Sequence, residues 1–468
     1  MQKVTPVFLV MILFLGCEKE ILVPVEQDED NAAKIKPYEE FYDAATFAQR
    51  RNDLVSTLPA DALILVVTND SYLSSGEENY DFRPAQNFYY LTGFEETDAA
   101  IVLRRKSTAD NTAEMIMFVQ ERSATEVQWL GPVYGPAGAI EFFGADSAYN
   151  IDLLGPVLDV YNEQMNYQSM YSNLAINRTV VNLLETQLAN LPVANDIDET
   201  INPMRVIKSD VEIEAIRSAV DVSVQAFTEA LPIIEPGIYE YEVDAMMQYI
   251  ANLNGCERLA FGTIVASGEN INALHYDANV SQMYDGDLVM IDYGAEYAYY
   301  ASDVTRTVPV NGTYTDKQTR IYNIVLEAYN SVIESITPGV NYYDLYSQQL
   351  IFIIDRLIEY EIITGNRDDI LSSRQYRQYV VGGLGHPVGL YVHDPFPWDA
   401  EGVKTLRENM VMAIEPHIYL NEGDQTVDPD YWGISARIED TVLITATGVE
   451  ILSAELPNTV AELEQLMR

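Results

Sequence analysis

The sequence predicts a fold of the mixed α/β (α+β) class, with two domains behind an N-terminal targeting segment. Three observations carry that expectation. A chain of 468 residues, 48% of them apolar, is long enough for two or three domains with sizeable cores. Apolar runs of strand length alternate with helical stretches through the first half. The second half repeats one order of elements: helix, helix, strand pair.

Taken in chain order, residues 1–17 carry one Lys and an apolar run from Val7 to Leu15 that ends in Gly16 and Cys17. That run is too short to span a bilayer and has the length of a signal-peptide core. It resembles a bacterial lipoprotein signal with Cys17 as the lipidated residue, although Phe14 and Leu15 depart from the usual pattern. Residues 18–37 are charged and aperiodic, as a flexible tether would be. Residues 38–185 read as an α/β domain, with buried strands expected at Ala62–Thr68, Ala99–Leu103 and Met115–Val119. Polar and Pro punctuation marks 186–206 as a linker.

The second domain, 207–468, opens with a capping box, Ser209 and Glu212, ahead of apolar residues spaced by three and four from Ile213 to Phe227. A second helix is expected over Glu240–Leu253, followed by strands in LVMIDYGAEY and AYYASDVTRTVPV. The order then recurs: a helix from Thr315 bearing Ile321, Val325, Ala328 and Val332, another over Asp344–Tyr360, and strands in MVMAIEPHIYL and SARIEDTVLIT.

Charge and cysteine content narrow the chemistry. There are 27 basic and 72 acidic residues, a net charge of −45, which repels phosphate backbones and excludes nucleic acid as a partner. Two cysteines, Cys17 and Cys256, cannot build a disulfide framework or a Cys-rich zinc site. A metal would have to be held by carboxylates and His. Asp292 and Asp303 are expected opposite one another across a hairpin turning near Tyr297 and Ala298, and Glu415 and Glu439 repeat the arrangement. Like charges opposed on a sheet repel, so four such carboxylates form an oxygen-rich cage suited to two divalent cations, with His386 nearby in GGLGHPVGLYVHD. All four His of the chain, His275, His386, His393 and His417, fall in this half.

At these residues the chain resembles the aminopeptidase P and prolidase family of metallopeptidases, built on the pita-bread fold, with the likeness running from about Tyr38 to Pro457. The family order of D, D, HxxGxxxHD, EP and RIED is met at Asp292, Asp303, His386 to Asp394, Glu415 with Pro416, and Arg437 to Asp440. SGENINALHY supplies His275, and the segments NFYYLTGFEE and WLGPVYGPAGAIEFFGAD resemble the N-terminal domain of aminopeptidase P. The resemblance implies that Asp292 binds one metal, that His386 and Glu415 bind the other, and that Asp303 and Glu439 bridge, with manganese as the usual ion. A bridging water, acidified towards hydroxide, would attack the scissile carbonyl. Glu415 would shuttle the proton to the leaving proline nitrogen, His275 and His393 would bind substrate and stabilise the tetrahedral intermediate, and Arg437 would orient a ligand carboxylate.

Two positions depart from the family. HGLGH reads GGLGH, with Gly382 in place of His, and EPG reads EPH, with His417. A regular strand past Pro416 would turn His417 to the same side as Glu415, where it would fill the space at Gly382 and supply the missing imidazole to substrate. The resemblance implies an Xaa-Pro aminopeptidase acting on proline-containing peptides, a homo-oligomer (dimer or tetramer), and an extracytoplasmic lipoprotein held to the membrane only by its lipid anchor. The alternatives are an Xaa-Pro dipeptidase and a non-catalytic peptide-binding lipoprotein of the same fold.

Overall fold

A computed structural model describes residues 44–468, apart from 77, 107–110, 166, 257, 397 and 400–401. The signal segment 1–17 with Cys17 and the tether 18–37 lie outside the described residues. Helix α1 (Ala44–Thr57) precedes β1 (Ala62–Val67), and α2 (Gln86–Thr92) precedes the hairpin of β2 (Ala100–Arg105) and β3 (Ala113–Val119). Strands β4 (Ser147–Asn150), β5 (Ser169–Ser172) and β6 (Ala194–Asp196) complete one sheet in the order β4-β3-β2-β1-β5-β6. Its central strands have no polar face. All six residues of β1 are buried, as expected of a strand covered on both sides.

The stretch expected as a plain linker, 186–206, is ordered. It contributes β6 to the edge of that sheet, parallel to β5, and helix α3 (Asp198–Arg205). Polar and Pro punctuation suggested a boundary there and could not reveal that tertiary pairing would recruit the segment.

The second domain begins with α4 (Asp210–Ala230), started by the Ser209–Glu212 capping box, and α5 (Glu240–Leu253). Strands β7 (Ile264–Ser267), β8 (Leu288–Tyr293) and β9 (Val304–Pro309) follow as an antiparallel sheet in the order β7-β8-β9. The repeat is α6 (Asp316–Ser335), α7 (Tyr342–Glu359), then β10 (Gly385–Pro387), β11 (Val411–Ile414), β12 (Asp440–Thr445) and β13 (Gly448–Ile451), antiparallel in that order. Val222, Phe227, Val289, Ile291, Ile321 and Val325 meet in one buried cluster. Tyr293 Oη donates to the Met247 carbonyl of α5 at 3.1 Å, so the odd-numbered face of β8 turns to the helices and leaves Asp292 on the other side.

The two halves join where their strands break. Neither expected long hairpin is continuous. After β8 the chain bends at Gly294, where a Cβ would lie 2.0 Å from the Ser302 carbonyl, and a short hairpin (Ala295–Tyr297 with Tyr300–Ala301) turns at Ala298 and Tyr299. The register pairs Asp292 with Thr305, so Asp303 lies two residues from the position expected for it and outside β9. Because side chains two apart share a strand face, it still points towards Asp292. In the second half, β11 and β12 stop at Ile414 and Asp440 and pairing resumes at His417 opposite Arg437, which leaves Glu415 and Glu439 in the gap. Thr305 and Glu439 then exchange backbone hydrogen bonds of 3.3 and 3.1 Å, stitching one half to the other.

Candidate metal centre

All nine residues singled out in the sequence line one cavity of ≈ 570 Å³. Asp292, Asp303 and Glu439 form its buried floor. His275 enters on the loop after β7, His386 on β10, and His393 beyond it. A Cβ at Gly385 would lie 1.9 Å from the Ala413 carbonyl, so only glycine lets the strand bearing His386 pack against β11.

His386 Nδ1 lies 3.1 Å from the Pro387 carbonyl, which can only accept, so Nδ1 carries a hydrogen and Nε2 is the atom left for the cage. Nε2 faces Asp303 Oδ2 at 3.3 Å and Glu415 Oε1 at 3.9 Å. Two carboxylates and an imidazole nitrogen converging on one point suit a cation between them. Asp303, His386 and Glu439 each place a ligand atom within 4.8 Å of the others. Asp292 Oδ1 and Asp303 Oδ1 are buried with no hydrogen-bond partner among the described residues, as suits carboxylate oxygens that would ligate a cation. The donor set of hard carboxylate oxygens and one imidazole fits two divalent cations.

The electrostatics agree. Burial, followed by the repulsion of Asp292 and Glu415, holds the Asp303 carboxyl well above its ordinary range. Glu439 is raised in the same way by burial and then Asp303. Asp292 is raised by burial while Arg437 pulls it back, and Arg437 Nη2 donates to Asp292 Oδ2. Arg437 Nε also donates to Thr305 Oγ1 at 3.1 Å, and that hydroxyl donates to Glu439 Oε2 at 2.6 Å. One buried guanidinium thus orients carboxylates from both halves. Thr305 was not singled out in the sequence; its place two residues after Asp303 was the available signal. Burial, then the neighbouring His386, lowers the pKa of His393, whose ring stands edge-on to His386 at 4.3 Å.

The two family departures meet at this cavity. His417 is only 2% exposed, and its Nδ1 lies 2.8 Å from the Glu415 carbonyl. Its Nε2 makes no hydrogen bond among the described residues. Gly382 lines the same cavity, and no described residue comes within 4 Å of where its Cβ would be. Its φ of 95°, however, is one that only glycine adopts freely.

Comparison with known proteins agrees with this architecture. Residues 214–446 match the model of metallopeptidase family M24, and residues 47–169 match the aminopeptidase P N-terminal domain. The chain is 33% identical to Xaa-Pro aminopeptidase of Escherichia coli, over 90% of this chain and 97% of the relative. It is 31% identical to human Xaa-Pro aminopeptidase 3, over 90% and 85%. Among solved structures, Pseudomonas aeruginosa aminopeptidase PepP superposes with a TM-score of 0.84 at 30% identity, covering 91% of this chain and 98% of that one. Aminopeptidase P from E. coli with the inhibitor Pro-Leu gives 0.84 at 32% identity with the same coverage. With both domains matched in order and nearly the whole chain aligned, this protein belongs to the aminopeptidase P family of M24 metallopeptidases.

Proposed function

We propose that the protein is an Xaa-Pro aminopeptidase that removes the N-terminal residue from peptides with proline in second position. The observation that carries this reading is the cage of Asp292, Asp303, His386, Glu415 and Glu439 opening onto a cavity rimmed by His275 and His393, in a chain whose relatives are named Xaa-Pro aminopeptidases. Two divalent cations, manganese in our reading, would supply an acidified water and polarise the scissile carbonyl. Glu415 is the proton carrier, lying at the mouth of the cage rather than sealed in it. His275 and His393 bind substrate and steady the charge that develops on the carbonyl oxygen. His417 offers a further imidazole, and Arg437 holds Asp292.

Cys17 as a lipid anchor and an extracytoplasmic, membrane-held location belong to the same proposal, supported by the sequence of residues 1–17. Cys17→Ala should release the protein from the membrane fraction, and mature protein with Met1 intact or Cys17 unmodified would refute the anchor. Self-association into a dimer or tetramer is supported by Trp129, Leu130 and Phe142, apolar side chains left exposed on neighbouring short helices. The deciding assay sets the manganese-loaded protein against Gly-Pro and against Xaa-Pro-Pro peptides. Preference for the longer peptides supports the aminopeptidase, turnover of Gly-Pro alone means a dipeptidase, and no turnover means a peptide-binding protein.

A further inference from the structure

The loop that delivers His393 to the cavity is gripped from the N-terminal half of the chain. His393 opens onto the cavity, whereas Asp394, the next residue, turns inward and is 4% exposed. Arg205 Nη2 donates to Asp394 Oδ1, and Lys208 Nζ donates to Oδ2 at 3.0 Å. Both cations are themselves buried. The Asp394 amide donates to the Pro387 carbonyl at 2.9 Å, closing the loop that runs from β10 to His393. Gly389 lies against this carboxylate so closely that a Cβ would sit 2.5 Å from Oδ2.

The grip continues into the first domain. Arg205 Nη1 donates to Asn87 Oδ1 at 2.8 Å, and Asn87 in α2 donates to Asp198 Oδ1 at 2.7 Å in α3. Arg83 Nη2 donates to the Leu390 carbonyl at 2.7 Å, a second hold on the same loop from the same side. Burying one carboxylate and two cations is expensive, and an apolar contact would join two domains at lower cost. What a buried, doubly bonded carboxylate adds is direction, and here it is applied one residue from a side chain facing the substrate cavity.

We propose that Asp394, clamped by Arg205 and Lys208, is a positioning residue for His393, so that the segment between the domains sets how the site engages its peptide. This rests on His393 contacting substrate, as in the function proposed above. The test is a double-mutant cycle of Asp394→Asn with His393→Ala on an Xaa-Pro-Pro peptide, with metal content and melting temperature measured in parallel. Asp394→Asn alone should lower kcat/KM by about tenfold or more with metal content unchanged. In the His393→Ala background the same change should have less than about a twofold effect. Independent, multiplying effects would overturn the proposal, because a purely structural brace would weaken both backgrounds alike. If Asp394→Asn fails to fold, Lys208→Met, which keeps an unbranched stem and leaves Arg205 in place, is put through the same cycle with the same two outcomes. A metal-loaded wild type that turns over no Xaa-Pro peptide counts against the functional reading instead. The cycle is then read as the affinity for an Xaa-Pro-Pro peptide by calorimetry, where multiplying losses again overturn the clamp.

Discussion

Stripping the metals should destabilise the protein by an amount that grows with pH. In the metal-free folded state Asp292, Asp303 and Glu439 are held above their ordinary carboxylate values by burial and by one another. They therefore keep protons to a higher pH than the unfolded chain does. Because the folded state binds more protons here, the contribution of these three groups to stability is greatest below the ordinary values of 3.8 and 4.5 and is lost as pH climbs through the raised ones. Bound cations take the place of those protons and remove the penalty. Two sites, each with metal at a hundred times its Kd, contribute about 2.7 kcal/mol apiece, or about 5 kcal/mol together. At about 2 °C per kcal/mol for a domain of this size, that is a difference of roughly 10 °C in melting temperature. The assay is thermal melting of metal-loaded and chelator-treated protein at pH 5.5 and pH 8. The gap should approach 10 °C at pH 8 and be clearly smaller at pH 5.5, where protons both relieve the empty cage and compete with metal. Equal gaps at the two pH values, or none, would refute the reasoning.

Three further predictions follow from the same residues. Asp303→Asn or Glu439→Gln should abolish activity and lower metal content while the N-terminal domain stays folded; full activity with undiminished metal would sink the cage. His417→Ala should lower kcat/KM about tenfold, or about 1.4 kcal/mol, whereas Gly382→His should fail to restore it, since forcing a side chain onto a positive φ costs about 1–3 kcal/mol; unaltered kcat/KM in His417→Ala would remove the imidazole from the site. With a net charge of −45, stability should rise between low salt and seawater-like NaCl as screening shortens the reach of self-repulsion, and a flat or falling melting temperature would contradict this.

The helices and the ligands were legible in the sequence because both are written in local patterns. A capping box at Ser209 and the apolar spacings of three and four that follow it and Thr315 marked two helices, and the structure starts helices at both, with a second capping box at Thr315. The candidate ligand residues stand in short motifs whose order survives any detail of packing, so the five could be named before the structure showed them lining one cavity. The Gly-rich segment around His386 was legible as a place of close approach, and Gly385 against the Ala413 carbonyl is that approach. Gly382 was legible as room for a side chain, but its φ of 95° was not, because a backbone angle depends on what the chain must reach on either side.

What only the tertiary structure decided lies where strands break and where distant segments meet. A strand's in-and-out alternation is local, so the sequence determined that Asp292 and Asp303 share a face. Their register is set by the turn, which falls at Ala298 and Tyr299, later than expected, and so puts Thr305 opposite Asp292 instead. The stitch between Thr305 and Glu439 joins residues 134 apart in the chain, and the clamp from Arg205 to Asp394 spans 189. No periodicity reports contacts at such separations. They form because burying a carboxylate requires a donor from whichever segment the fold brings alongside, and that choice belongs to the packing of the whole chain.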